Sequence, residues 1–233
     1  MVFLPVWDLN PLKRVRFQYV TVAIIALNII IYVLFETNLV LHSPARFINA
    51  LSLKPGDVAP FDSFLRHLPV QFRLVTYMFL HGSAWHLIGN MIFLFVFGDN
   101  VEDAMGHVRF AVFYLLCGAF AALVHSAMTL TPGAPLIGAS GAISGVIGAY
   151  LMLHPNVRVW ILVPIANLPF LPLRFSAAFV IGVWIVYQIA NAIYLAKDAT
   201  AWWAHIGGFV AGVLLVTVMK RPGVKLFDAA TGV

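Results

Sequence analysis

Three stretches of this chain set reactive side chains into otherwise apolar surroundings. The first runs from Pro135 to Tyr150 and holds Ser140 among small residues, with glycines at 138, 141, 145 and 148. A hydroxyl at the start of a helix lies beside free backbone N–H groups and the positive end of the helix dipole, a setting that favours a developing oxyanion. Taken alone the stretch fits inter-helix packing as well, because small residues with serine are common glue between membrane helices. It is also unlike the Gly-x-Ser-x-Gly elbow of soluble hydrolases, since position 142 is Ala and no strand-like segment with acid and histidine partners in that order is evident.

A serine nucleophile needs a base. The candidate is His205, in Ala201-Trp202-Trp203-Ala204-His205-Ile206-Gly207-Gly208-Phe209-Val210-Ala211-Gly212. Positions 205, 208 and 212 share one helical face, and Gly208 with Gly212 makes a small surface that can meet the glycines near Ser140. Close approach of two such helices brings an imidazole within hydrogen-bond reach of the hydroxyl, as a base-activated nucleophile requires. The competing reading is a histidine anchored at the membrane interface.

The third stretch is His81-Gly82-Ser83-Ala84-Trp85-His86-Leu87-Ile88-Gly89-Asn90. His86 and Asn90 are four residues apart, hence on one face of a helix. Polar groups inside a membrane span are costly and point to function, here donation of hydrogen bonds to an oxyanion formed when Ser140 attacks a carbonyl. Inter-helix glue is the plain alternative. His81, His86 and His205 do not make a convincing metal set: there is no H-E-x-x-H, no carboxylate nearby in sequence, and an Asn stands where a second helical histidine ligand is wanted. No metal and no cofactor are expected.

The elements that must position these groups are membrane spans. The 233 residues are 62% hydrophobic and 10% charged, with a mean hydropathy of +0.94, far more apolar than a soluble domain of this size. Six apolar runs have spanning length: 17 to 36, 84 to 101, 107 to 129, 137 to 154, 175 to 196 and 201 to 220. These readings predict one all-α membrane domain over residues 1–233. The run from Phe17 to Phe35 is too long for a signal peptide, and Glu36-Thr37-Asn38 offers no cleavage site. Residues 37 to 83 mix Arg46, Lys54, Asp57, Asp62, Arg66 and Arg73 with apolar Phe47, Leu51, Phe61 and Leu65, and are expected to lie on the membrane as short amphipathic helices.

Charge sets orientation. A net charge of +5 and a pI near 9.6 come from basic residues scattered at the ends of apolar runs, with no stripe of interleaved aromatics, so no nucleic-acid partner is expected. Lys13, Arg14, Arg16, Arg109, Arg158, Arg174, Lys220, Arg221 and Lys225 fall on the N-terminal side of the membrane; Arg46, Lys54, Arg66, Arg73 and Lys197 fall opposite. Both termini are therefore expected in the cytoplasm, with a short C-terminal tail that lacks a lipidation signal. Residues 155 to 174, broken by Pro155, Pro164, Pro169 and Pro172, read as a cytoplasmic connection. Ser140, His205, His86 and Asn90 all come to the outer end of their spans. Residues 131 to 135, just before that level, are uncharged and can dip into the membrane only where other helices shelter them. The one cysteine, Cys117, reads as a small core residue.

Together, His81, His86 and Asn90 in an H-x4-H-x3-N pattern, Gly138-Ala139-Ser140-Gly141, and Ala204-His205 followed by Gly208 and Gly212 resemble the rhomboid family of intramembrane serine proteases. The resemblance covers nearly the whole chain. It implies a bacterial-type six-helix core, placed in a bacterial inner (plasma) membrane, a Ser140/His205 dyad, and His86, Asn90 and the Ser140 N–H as oxyanion donors. It also implies that residues 37 to 83 are the family's membrane-embedded first loop, whose Trp-Arg signature stands here as Phe72-Arg73. Some members carry a tyrosine one turn after the nucleophile that packs on the histidine; here that position is Ser144, so something else must hold His205. No acid completes the dyad, the nearest being Asp198, which reads as a loop residue.

The expected activity is cleavage of single-span transmembrane substrates near the outer membrane face, at segments that unwind to free a carbonyl. The apolar fifth span, with Phe179, Trp184 and Tyr187, suits a wall that admits such substrates from lipid. Two other readings stand beside it. One is a non-catalytic rhomboid-like chaperone that binds membrane proteins, expected to lack the Ser or the His. The other is a small transporter, expected to carry a charge at mid-membrane.

Overall fold

The computed structural model describes residues 3–37, 44–58, 70–131, 133–165, 168–195 and 200–228. The chain is mostly helical. A strand, β1 (Leu4–Asp8), leads to α1 (Tyr19–Ile31), which widens into π turns over Tyr32–Glu36. The first connection carries α2 (Pro44–Leu51) and α3 (Val70–Thr76). Phe47 of α2 stacks on Phe35, with ring centroids 4.5 Å apart. Short helices are therefore present where they were expected; Phe61, Asp62, Leu65 and Arg66 lie outside the described residues, as do Lys197 and Asp198. The remaining helices are α4 (Ala84–Met105), α5 (His107–Met128), α6 (Ser140–Leu153), α7 (Ala177–Ala190) and α8 (Trp202–Met219).

Among the described residues four helices are long and apolar enough to cross a membrane: Ala84–Met105, His107–Met128, Ala177–Tyr194 and Trp202–Met219. Tyr19–Phe35 and Ser140–Leu153 are apolar but shorter. The short α6 is the centre of the bundle. Every residue from Gly141 to Tyr150 is buried, with α4, α5 and α8 packed around it. Such burial is open only to a helix of small residues, because a larger side chain at 141, 145 or 148 would meet the neighbouring helices.

Residues 155 to 174 depart from the irregular connection expected for them. They form most of a hairpin, β2 (Arg158–Ile165) and β3 (Leu168–Ser176), and β1 pairs with β2 to make a three-stranded antiparallel sheet. The all-α reading is corrected accordingly. Proline does exclude a regular helix here, but the segment is rich in Val, Ile and Trp, which favour strands. Val157, Val159 and Ile161 turn into the core.

Two adjacent carboxylates at the end of α4 fasten the N-terminal segment. Glu102, fully buried, accepts hydrogen bonds from the backbone N–H of Val20 and Thr21 and from the Thr21 hydroxyl, closing the open donors at the start of α1. Asp103 accepts from the N–H groups of Lys13, Arg14 and Val15. Gly106, at φ +84°, turns the chain from α4 into α5, with the Arg221 guanidinium where a Cβ would sit.

Asp8, at the end of β1, accepts a hydrogen bond from the Tyr150 hydroxyl. Burial pushes its carboxyl up from 3.8 to about 6, against the lowering effect of that bond and of the Asn10 backbone. The folded state thus holds this proton more tightly than the unfolded chain, so stability falls as pH rises from about 4 to about 6 and is level above that for this group. Asp8→Asn is expected to melt higher than the wild type at pH 7.5, with the gap closing toward pH 4. Thermal unfolding in detergent at the two pH values measures it, and a gap that is the same at both would rule it out.

Candidate active site

Ser140 is the first residue of α6, with Ala139 as the capping residue, so its backbone N–H has no partner within the helix. Gly138, at φ +115°, turns the chain into that helix, a backbone shape that a side chain would strain. Its N–H is bound by the Tyr77 carbonyl at 3.0 Å. The strand-like stretch before it is tied down by Leu136, which exchanges two backbone hydrogen bonds with Leu53 of the first connection. The start of α6 is therefore held at two points by the first connection.

His205, one turn into α8, faces Ser140. Its Nε2 lies 2.8 Å from the Ser140 Oγ. The approach is made by glycines on both helices. A methyl at Gly208 would land on the Gly141 carbonyl oxygen, and one at Gly212 on the Gly145 carbonyl. Gly148 in turn lies under the Phe209 carbonyl. The two glycine faces expected from the sequence therefore meet backbone to backbone. Cys117 of α5 fills the other side of Gly145.

His86 and Asn90 sit on one face of the first two turns of α4, which starts at the Ser83 cap, whose hydroxyl accepts from the His86 N–H. Both reach Gly138. A Cβ there would lie 2.9 Å from His86 Nε2 and 3.7 Å from Asn90 Nδ2. Asn90 is also bound at 3.0 Å to the Nε2 of His81, whose ring packs edge-on against His86 with centroids 5.2 Å apart. Among the described residues neither His86 nor Asn90 hydrogen-bonds Ser140. They converge on the space beside the turn that precedes it.

The structure answers two points that the sequence leaves open, the role of Ser144 and what holds His205. The Ser144 hydroxyl donates back to the Ser140 carbonyl at 2.6 Å, an internal bond of the helix that carries no ring-packing function. His205 is held instead by Trp184 of α7 and Trp202 of α8, at centroid distances of 6.3 and 6.0 Å, and by Gln188 of α7, whose Oε1 lies 2.7 Å from Nδ1. Nothing in the spacing of residues 177 to 190 singles out Gln188 except that it is a lone amide in an apolar run, which is the signal that could have found it.

The arrangement can do base-assisted nucleophilic chemistry: a hydroxyl at a helix N-terminus, an imidazole in hydrogen-bond contact with it, and two further polar side chains beside the same turn.

Comparison with known proteins agrees with the motifs. Residues 70–222 match the family model "Rhomboid domain". The chain is 27% identical to RHOMBOID-like protein 1 of Arabidopsis thaliana over 242 residues, covering 95% of this chain and 58% of that protein. It is 31% identical to Rhomboid-related protein 1 of Caenorhabditis elegans over 147 residues, 61% of this chain and 38% of the relative. It is 29% identical to the mitochondrial Rhomboid protein 1 of Saccharomyces cerevisiae over 146 residues, 58% of this chain and 38% of the relative. The chain spans about half the length of the curated relatives it matches. These relatives are eukaryotic and lend no support to a bacterial inner membrane. With a family model covering both the Ser140 and the His205 helices, this integral, multi-pass membrane protein belongs to the rhomboid family.

Proposed function

We propose that residues 1–233 form a single membrane domain that acts as an intramembrane serine endopeptidase, cutting single-span transmembrane substrates near the outer face. The observation that carries this reading is the 2.8 Å contact between Ser140 Oγ and His205 Nε2, made by two helices in direct backbone contact. In it α1 and α6 complete a set of six spans, both termini are cytoplasmic, and residues 37 to 83 form a membrane-associated first loop. An α6 of 14 residues is about 21 Å long, short of the roughly 30 Å hydrocarbon core, so its N-terminus and Ser140 lie below the membrane surface.

The chemistry follows from the atoms in contact. His205 Nε2 takes the Ser140 proton as Oγ attacks the substrate carbonyl carbon. The oxyanion that forms is met by the Ser140 N–H, His86 and Asn90. The C–N bond breaks, and the amine leaves with the proton that His205 returns. Water, deprotonated by the same imidazole, then opens the acyl ester to release the carboxylate and restore Ser140.

A fluorophosphonate probe tests the nucleophile without needing the native substrate. Wild-type protein in detergent is expected to label at Ser140, and His205→Ala to lose at least about 100-fold in labelling rate, since the hydroxyl is a weak nucleophile without its base. Label carried by another serine, or labelling at the same rate in His205→Ala, would remove the reading.

A further inference from the structure

Gln188 stands out on α7. The helix turns its apolar side chains outward, with Phe179, Val183, Val186, Tyr187 and Ile189 all exposed, and keeps only Ala177, Val180, Ile181 and Gln188 buried. The one polar residue among them is inside while these five large apolar ones are outside. A primary amide at 4% exposure is costly in such a helix unless it is bound, and its oxygen is bound by His205.

That contact decides where the imidazole proton sits. An amide oxygen only accepts, so at 2.7 Å the Nδ1 of His205 must carry the proton and donate it. A neutral imidazole has a single N–H. Nε2 is therefore left with its lone pair, and it is Nε2 that lies against the Ser140 hydroxyl. The opposite tautomer would set two acceptors against each other at Nδ1, and at Nε2 the Ser140 hydroxyl would have to turn and accept, leaving the imidazole no lone pair with which to take its proton. We propose that Gln188 is a positioning residue that fixes His205 in its base-competent tautomer, taking with a neutral amide the place that a carboxylate takes in a three-membered serine site.

This inference rests on the proposed dyad. The neutral amide has its own signature. A carboxylate would stabilise the imidazolium as well as orient it; an amide orients it and adds no charge. Among the described residues the titratable groups that act electrostatically on His205 are His86 from α4 and His125 from α5, and neither is an acid.

The test uses the full chain in nanodiscs with a single-span substrate, comparing wild type, Gln188→Leu, Gln188→Glu and Ser140→Ala. Gln188→Leu is expected to lose about 10- to 100-fold in kcat with KM within twofold, because it removes orientation and not substrate contact. Gln188→Glu is expected to keep kcat within a few-fold at pH 8.5 and to move the acid limb of the pH–rate profile up by about one unit. A residue that served only packing would lower the melting temperature and leave that limb in place. 15N NMR of the histidines adds a readout independent of turnover, with His205 protonated at Nδ1 in the wild type and redistributed in Gln188→Leu. The inference is overturned by wild-type kcat in Gln188→Leu, by an unmoved acid limb in Gln188→Glu, or by a wild-type His205 protonated at Nε2. Should Gln188→Leu fail to fold, the limb and the wild-type spectrum decide. Wild type and Ser140→Ala that cut equally sink the proposed activity instead, and the spectrum still judges Gln188.

Discussion

Ser140→Ala is expected to bind a single-span substrate as tightly as the wild type and to yield no product. The expected loss is on the order of 10⁶-fold in kcat, the scale found when a serine hydrolase loses its nucleophile, and in a gel assay it reads as intact substrate. His205→Ala is expected to fall nearly as far. The double variant should be no worse than either single one, because a nucleophile and its base act as one unit and their losses do not add. That non-additivity separates a Ser140/His205 dyad, joined at 2.8 Å, from two residues that each support the fold. A co-purification assay run beside the cleavage assay separates the protease from a non-catalytic binding protein: equal capture of substrate by wild type and Ser140→Ala, with no cutting by either, would favour the latter. Product from Ser140→Ala at wild-type rate would end the Ser140 assignment.

A second large loss is expected far from any reacting atom. Gly212→Val adds three carbons where a single methyl already meets the carbonyl oxygen, carbonyl carbon and Cα of Gly145. None of these is a flexible side-chain tip that can swing aside, so α8 must move away from α6. Overpacking of this kind costs about 1–3 kcal/mol, and a shift of about 1 Å between reacting groups costs roughly 100-fold in rate. Gly212→Val is therefore expected to lose about 100-fold or more in both cleavage and probe labelling, with a lowered melting temperature. Gly182→Ala is the control: a Cβ at that position of α7 meets nothing within 4 Å, and cleavage and melting should stay as in the wild type. Equal behaviour of the two variants would show that the glycine seam does not set the dyad distance.

The features legible in the sequence were those with a regular period or a strong local cost. Long apolar runs fixed α4, α5 and α8 to within a few residues, because membrane-spanning length is a one-dimensional property. Gly208 and Gly212 opposite Gly141, Gly145 and Gly148 were readable as facing seams because helical spacing puts them on common faces. What escaped depends on contacts between distant parts of the chain. The pairing of Pro5 with Ile161 has no local signature, and prolines at 155, 164, 169 and 172 masked a strand pattern by excluding the helix first considered. Glu102 and Asp103 directly follow the apolar run 84 to 101; their use as acceptors for N–H groups of residues 13–15, 20 and 21 is visible only once α1 and α4 lie side by side. Ser144 remained without a role because its partner is its own helix.

The seam between α6 and α8 bears on how such a protein is kept in check. With the Gly208 and Gly212 positions lying against the Gly141 and Gly145 carbonyls, no side chain between nucleophile and base is left to rotate, and no gap is left to close on activation. On the proposed reading the dyad, as the described residues hold it, is not one that waits unassembled for a cleavage or a cofactor. It is armed as soon as it folds. Restraint then has to act on arrival, through which transmembrane segments can unwind and reach Ser140, so the selectivity of cutting would be written in the stability of the substrate helix as much as in the enzyme.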